Sequence, residues 1–339
     1  MIKIEQYGFS SDRPLIGQSG TGTVPARVTA VYRDLYKVVS CHGDADAKLK
    51  GSFYRLLNDA GDTGLFPAVG DFVQIQPNEL GSSLISGLYE RKSKFSRTDF
   101  SGHKVGHAKT ILEQVLAANF DAVWILMSLN QNFNLRRIER YLAAAWQSGG
   151  TPVVVLTKAD LTADSNEQVR ATQAIAGDAA VYAVSAMTGF GMDRLAADLM
   201  PGQTIVFLGS SGVGKSSLVN ALAHETLMTV SAIRQDDARG RHTTTHRQLI
   251  LLNNGVMVID TPGLRELGMW DADEGIGEVF ADVEDLQAAC RFANCGHKSE
   301  PGCAIKAALK DGRLEEKRWQ TYLLLKRETR LSELRSRKA

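Results

Sequence analysis

With 339 residues, 44% hydrophobic and 23% charged, the chain has material for two or three globular units. A formal net charge of +1 leaves any nucleic-acid contact to local patches, since there is no global field to hold a polyanion. No apolar run of about twenty residues is available for a membrane span and no secretory signal is recognisable, so a cytoplasmic protein is expected.

Residues 1–25 are polar and Gly-rich and are expected to form a flexible tail. Residues 26–108 carry short alternating segments, Ala26–Tyr32, Lys50–Leu56, Asp71–Ile75 and Ser83–Tyr89, broken by Gly, Asp and Pro turns. The pattern predicts a small β-barrel, with an OB-fold as the economical choice. Cys41 reads as a buried thiol. A basic stretch then runs from Arg91, Lys92 and Lys94 through Arg97 to Lys104 and Lys109, opposed by Asp99 and holding Phe95 and Phe100. Cations interleaved with aromatics beside a barrel suit an RNA-binding surface. The alternative is a solubilising linker beside an SH3-like barrel.

Residues 109–275 read as an α/β domain. Pro152–Leu156 is a buried-strand pattern ending in Thr157, Lys158, Ala159 and Asp160. A carboxylate at Asp160 accepts from both the ring N–H and the exocyclic amine of guanine, and a buried, unpaired Asp rejects adenine, which lacks that donor pair. A second apolar run, Ala180–Val184, ends in Ser185 and Ala186, whose backbone N–H groups suit the guanine carbonyl. The strand-like Thr204–Leu208 leads into Gly209, Ser210, Ser211, Gly212, Val213, Gly214, Lys215, Ser216 and Ser217, and the helix-like Leu218–Leu222 follows. That is a phosphate-binding loop, GxxxxGK[ST], between a strand and a helix. Its glycines let successive N–H groups face the α- and β-phosphates at the positive end of the helix. Lys215 is placed for the β- and γ-phosphates and the Ser216 hydroxyl for Mg²⁺. A Gly/Ser linker does not explain a lysine framed by apolar runs.

Further on, Gly240, Arg241 and His242 precede Thr243, Thr244 and Thr245. One of these threonines supplies the second Mg²⁺ hydroxyl, with Thr244 preferred. Asn253–Gly255 is a hairpin turn between Gln248–Leu252 and Val256–Ile259. The second strand runs into Asp260, Thr261, Pro262 and Gly263, the DxxG that senses Mg²⁺ and the γ-phosphate. All five elements of a GTPase are present, but the guanine-reading pair precedes the phosphate loop. A doubly wound sheet tolerates this, because the nucleotide sits at the carboxyl ends of the strands whatever order the chain visits them. The pattern predicts a circularly permuted P-loop GTPase that binds GTP with Mg²⁺.

Residues 276–339 hold Cys290, Cys295, His297 and Cys303. Three thiolates and an imidazole within fourteen positions suffice for one closed, structural zinc site. Three cysteines cannot pair evenly as disulfides, and four protein ligands leave no open position for catalysis. The rest reads helical, with Leu314, Trp319, Tyr322, Leu323 and Leu325 for packing and eleven Lys/Arg against five Asp/Glu over 304–339.

In this order, barrel, permuted GTPase and zinc cluster resemble the ribosome small-subunit-dependent GTPase A family (RsgA, also called YjeQ). Supporting strings are Pro67–Asp71, Ala117–Asp121, Arg136–Leu142, Gly240–Thr245 and the Cys/His spacing. The resemblance implies a late-stage assembly factor of the 30S ribosomal subunit, a monomer that contacts 16S rRNA through barrel and zinc domain. It also implies GTP hydrolysis to GDP stimulated by that subunit. Two features depart from the family. Thr157 stands where the guanine motif usually carries Asn, an exchange expected to weaken the contact to the phosphate loop, and the N-terminus is short and weakly basic. Leu264 follows the DxxG where Ras-like enzymes place the water-orienting Gln, so intrinsic hydrolysis is expected to be slow. His242 is the candidate to orient the attacking water once the subunit orders its loop. The competing readings are a P-loop ATPase or kinase with an accessory zinc domain, and an RNA-binding scaffold locked by nucleotide.

Overall fold

The computed structural model describes residues 2–33, 35–59, 63–99, 112–210, 212–228, 247–260, 280–292, 295–297, 300–316, 318–320, 322, 323 and 326. The chain opens with a 3-10 turn, Ile4–Tyr7, and a short strand β1, Leu15–Gly17. Five strands then close a barrel: β2 (Val24–Val31), β3 (Tyr36–Ser40), β4 (Gly43–Leu49), β5 (Phe72–Gln76) and β6 (Ser83–Tyr89). They pair in the circular order β2-β3-β4-β6-β5-β2, with β4 and β6 parallel and the other pairs antiparallel. That is the OB-like arrangement the alternating segments suggested.

Lys50–Leu56 is not a strand: Gly51–Asp59 forms helix α1 between β4 and β5. Its Phe53 and Leu57, one helical turn apart, are the residues that bury into the barrel core with Val28, Val38, Val73 and Ile85. Nor are residues 1–25 a loose tail at the positions described. Ile4 is buried, β1 pairs with β6, and Phe9 packs on Phe72 and Tyr89 with ring centroids 5.4 and 5.0 Å apart. Scattered apolar residues in a polar segment are what anchor it. Cys41 is half-buried rather than buried.

A two-stranded antiparallel ribbon, β7 (Lys94–Asp99) with β8 (Leu112–Ala118), links the barrel to the next sheet. Among its described residues the basic stretch is paired with carboxylates, with Arg91 largely buried and Lys92 and Lys94 left exposed. Arg91 pairs with the buried Asp71 at 2.6 Å, Lys92 with Asp121, and Lys94 with Glu113 at 2.8 Å. Phe95 is buried and stacks on Phe120 at 5.0 Å. Arg97 and Asp99 belong to β7 by their backbone, and Phe100, Lys104 and Lys109 lie outside the described residues. The expected RNA-binding surface therefore loses Arg91 and Phe95 to packing, whereas Lys92 and Lys94 stay on the surface, each beside a carboxylate.

Through one antiparallel pairing of β2 with a later strand (Ala30↔Gln248), the barrel continues into a second sheet region with the order β13-β14-β12-β9-β10-β11. Its strands are β9 (Ala122–Ser128), β10 (Thr151–Thr157), β11 (Ala180–Ala183), β12 (Thr204–Leu208), β13 (Gln248–Leu251) and β14 (Met257–Asp260). All are parallel except β13, which forms the expected hairpin with β14 around Gly255 (φ +80°). The inner strands β9, β12 and β14 are buried throughout and almost continuously apolar because both faces are covered, while the edge strands β11 and β13 are partly exposed. Val123, Ile125 and Met127 pack toward α2 (Leu135–Gln147) and α3 (Asn166–Ala176), and Trp124 and Leu126 toward α4 (Met192–Ala197) and α5 (Lys215–Ala223). The last described elements, α6 (Ala281–Ala288) and α7 (Ala304–Asp311), with Trp319 and Tyr322 beyond them, extend the α2 side of this core.

Barrel and sheet meet over a buried arginine. Arg27 lies on the outer face of β2, where alternation alone predicts solvent, yet it is fully buried. Its guanidinium donates to the carbonyls of Gly70 (3.2 Å), Asn119 (2.9 Å) and Tyr7 and to the Thr204 hydroxyl (2.9 Å), and lies over the Phe72 ring. Burial pushes its pKa down to about 9, with Asp121 and Asp71 pulling the other way, so it is still charged at neutral pH. Four acceptors from four separate segments satisfy a charge that would be costly if left unpaired.

Candidate nucleotide and metal sites

The carboxyl ends of the five parallel strands lie on one edge of the sheet, as the registers Leu208↔Ile125, Val206↔Ile259, Leu156↔Met127 and Leu156↔Ala183 require. Every motif of the central domain that falls on described residues comes to this edge. At its centre β12 turns into the loop that starts at Gly209. A Cβ there would stand 2.9 Å from the Leu126 carbonyl oxygen, so only glycine lets the chain pass over β9. The loop ends at Gly214, whose φ of +104° lies in the left-handed region, and α5 begins at Lys215. Gly212 and Val213 complete the described curl, and Ser216 and Ser217 are half-buried in the first turn of α5. The free N–H groups of that first turn face the same edge, which suits an anion. Ser210 precedes the curl, and Ser211 lies outside the described residues.

Lys215 ion-pairs with Asp260, the last residue of β14. The carboxylate is buried, whereas about a quarter of the lysine side chain is exposed (27%). The sequence places these two residues near phosphate and metal separately. It gives no sign that they hold each other.

On the base-reading side, Thr157 ends β10 and its hydroxyl donates to the Val213 carbonyl at 2.5 Å. The contact expected to weaken when Thr replaces Asn is therefore made, by a shorter side chain on a buried backbone. Lys158 takes a left-handed conformation (φ +59°) and the Ala159 N–H donates to the Val184 carbonyl at 3.1 Å, which ties the tetrad to the end of β11. Ser185 is buried and donates to the Asp160 carboxylate at 2.5 Å, and the half-buried Ala186 follows it. Asp160 itself is exposed and hydrogen-bonded, not buried and unpaired. It sits at the rim, where a tetrad that follows a strand end must project. His242, Thr243, Thr244, Thr245 and Gly263 lie outside the described residues.

Thr157→Val removes the hydroxyl while keeping the volume, and leaves the Val213 carbonyl without its donor. A lost neutral hydrogen bond with a stranded acceptor costs about 1–2 kcal/mol. Binding of fluorescent GTP and GDP analogues is expected to weaken about tenfold, equally for both, because the contact lies under the loop and away from the γ-phosphate. Unchanged affinity would remove Thr157 from the nucleotide site.

A second cluster stands apart. Cys290, Cys295, His297 and Cys303 bring one ligand atom each within 4.8 Å of one another. The His297 Nδ1 lies 3.7 Å from the Cys290 sulfur and 3.5 Å from the Cys303 sulfur. Bonds of about 2.3 Å to a tetrahedral ion would set the sulfurs about 3.8 Å apart, so the group needs only a small contraction to close on one metal ion. Burial raises the Cys290 thiol, but the N–H groups of Ala304 and Ile305 and the neighbouring thiols outweigh it and hold its pKa below the ordinary thiol value. Behind the histidine stand Gln287, Tyr322 and Glu284, which the Cys/His spacing does not reveal. The signal available was the three-residue spacing of Glu284 and Gln287, one face of the helix that ends just before Cys290.

Comparison with known proteins agrees with this arrangement. The family model described as RsgA GTPase matches residues 88–270. The chain is 45% identical over 331 residues to small ribosomal subunit biogenesis GTPase RsgA 2 of Listeria monocytogenes serotype 4b, covering 96% of this chain and 89% of the relative. Among solved structures it is similar to YjeQ from Thermotoga maritima, at 28% identity and a TM-score of 0.66, covering 91% of this chain and 98% of that one. It shares the fold of YloQ, a circularly permuted GTPase, at 23% identity and a TM-score of 0.61 over 92% of this chain and 98% of that one.

Proposed function

The chain belongs to the RsgA GTPase family, and from that premise we propose that its GTP hydrolysis serves late maturation of the 30S ribosomal subunit, which stimulates turnover and is then released. The observation that carries this reading is the wiring of the base-reading tetrad to the phosphate loop through Thr157 and Val213, on the edge where Asp260 also ends its strand. Gly209–Ser217 supply amides to the phosphates. Asp160 reads guanine, and Ser185 and Ala186 offer N–H groups to its carbonyl. Ser216 and Thr244 would hold Mg²⁺, which supplies charge neutralisation at the β- and γ-phosphates.

The Lys215–Asp260 pair supports a division of roles on binding. A nucleotide would draw the ammonium toward its phosphates and leave the Asp260 carboxylate, the first residue of the DxxG, available to the metal side. The donor set of Cys290, Cys295, His297 and Cys303 suits one structural zinc ion. Barrel and zinc segment are the surfaces for 16S rRNA. The protein works as a cytoplasmic monomer, and no helix among the described residues is long and apolar enough to cross a membrane.

Multiple-turnover hydrolysis of GTP and ATP, with and without purified 30S subunits, tests the reading. GTP hydrolysis should be slow alone and rise by orders of magnitude with subunits, and ATP should be a poor substrate throughout. Equal use of ATP would leave a P-loop ATPase or kinase. Subunit binding without faster turnover would leave a nucleotide-locked scaffold.

A further inference from the structure

His297 is held by more than its place in the Cys/His spacing. Its backbone takes a left-handed conformation (φ +55°), unusual for a non-glycine residue, and its ring meets the edge of Trp319 at 5.4 Å and 83°. Nδ1 faces the sulfurs of Cys290 and Cys303, and Nε2 points away to the Gln287 side-chain amide at 3.3 Å. The other end of that amide lies 3.0 Å from the hydroxyl of the buried Tyr322, which is also 3.0 Å from the Glu284 carboxylate. Glu284 is in turn paired with Lys326 at 3.1 Å. Four side chains thus form one file from the metal cluster to a carboxylate.

The direction of the protons along this file decides what it does. A histidine that binds a metal through Nδ1 carries its proton on Nε2 and must donate it. The amide then has to present its oxygen to His297 and its NH₂ to Tyr322, an orientation reached by a half-turn that leaves every atom position occupied. In that arrangement His297 donates to Gln287, Gln287 donates to the Tyr322 oxygen, and the single Tyr322 proton goes to Glu284. Each proton along the file has one acceptor. With the amide turned the other way, the lone tyrosine proton faces both the Gln287 oxygen and Glu284, and one of them goes without. The fully satisfied arrangement is the one metal binding requires.

We propose that Gln287, backed by Tyr322 and Glu284, is a positioning residue that selects the Nδ1-binding tautomer of His297 and so sets the metal affinity of the cluster. This rests on the zinc reading given above and names residues outside the ligand set. It also places the control of the site on α6, the first described helix after the DxxG segment.

The test is zinc affinity of the full-length protein, read by competition with a chromophoric chelator, together with the visible absorption of the Co²⁺-substituted form. Gln287→Met keeps the length of the side chain but can neither accept nor donate, and should weaken zinc binding about 10–100-fold and shift the cobalt bands. Gln287→Glu still accepts from Nε2, and takes the Tyr322 proton while Glu284 keeps Lys326, so it should stay within about threefold of the parent, since acceptance of the ring proton is retained. Tyr322→Phe should fall between the two. A Gln287→Met protein with parental affinity and cobalt spectrum overturns the proposal, and so does equal loss in the Met and Glu variants, which would mean that the site merely needs glutamine's packing. Failure of the parent to take up one zinc per chain would instead remove the metal reading on which the proposal stands. GTP binding measured on every variant checks that the GTPase fold is intact.

Discussion

Asp160→Asn is expected to move the nucleotide preference from GTP to xanthosine triphosphate. Guanine offers Asp160 two donors, the ring N–H and the exocyclic amine, and xanthine replaces the amine by a carbonyl. A charge-assisted hydrogen bond contributes about 1.5–3 kcal/mol, so losing one and setting amide NH₂ against amine should weaken GTP by about 10²–10³-fold or more. The structure adds a reason to expect a clean switch. Ser185 donates to one Asp160 oxygen at 2.5 Å, and it can donate to the Asn oxygen in the same way. That would leave the new NH₂ aimed at the base, where the xanthine carbonyl accepts it. Titrations of GTP and XTP against the parent and the variant decide the matter. Unchanged GTP affinity in the variant would sink the assignment of Thr157, Lys158, Ala159 and Asp160 as the base-reading tetrad.

That tetrad was readable because each GTPase motif is local and follows an apolar strand. Gly209–Ser217, Thr157–Asp160 and Ser185–Ala186 carry their chemistry in consecutive residues, and β12 and most of β10 before the first two are buried on both faces and therefore unmistakably apolar. The barrel was harder. β4, Gly43–Leu49, contains no β-branched residue and two Asp, so its strand character comes from pairing with β3 and β6 and not from its own propensity. Lys50–Leu56 alternates weakly enough to pass for a strand, and only the Phe53 and Leu57 spacing shows the helix. The pairing of charges is the least legible part of the sequence. Arg91, Lys92 and Lys94 find their carboxylates 20, 29 and 19 positions away, a pairing that no local count can reveal. Arg27 is a polar residue on the outer face of a barrel strand, and what buries it is a second sheet whose approach is not written in β2. Thr157 shows the reverse case, since the contact that the exchange from Asn put in question depends on backbone distance, and β10 brings the hydroxyl close enough.

His242→Ala is expected to abolish most of the subunit-stimulated turnover while leaving GTP binding intact. Leu264 cannot orient water, so the chain lacks the residue that Ras-like enzymes use. His242 stands two positions before Thr244, the proposed metal ligand, and a loop drawn to the γ-phosphate by that threonine carries the imidazole toward the attacking water. A neutral imidazole accepts a hydrogen bond from water at physiological pH. General-base or water-positioning groups contribute about 10²–10⁴-fold, and a loss of at least 100-fold in stimulated turnover is the expected result. The competing role is contact with ribosomal RNA, which predicts a different loss. If His242 positions water, the variant docks on the 30S subunit with a GTP analogue as the parent does, and its stimulated rate stays low however much subunit is added. If it contacts RNA, docking weakens and the rate recovers at saturating subunit. His246, two positions before β13 in the sequence, should tolerate the same substitution with little change in rate. Full recovery of the His242→Ala enzyme at saturation would place this histidine on the ribosome-binding surface and leave the water to another group.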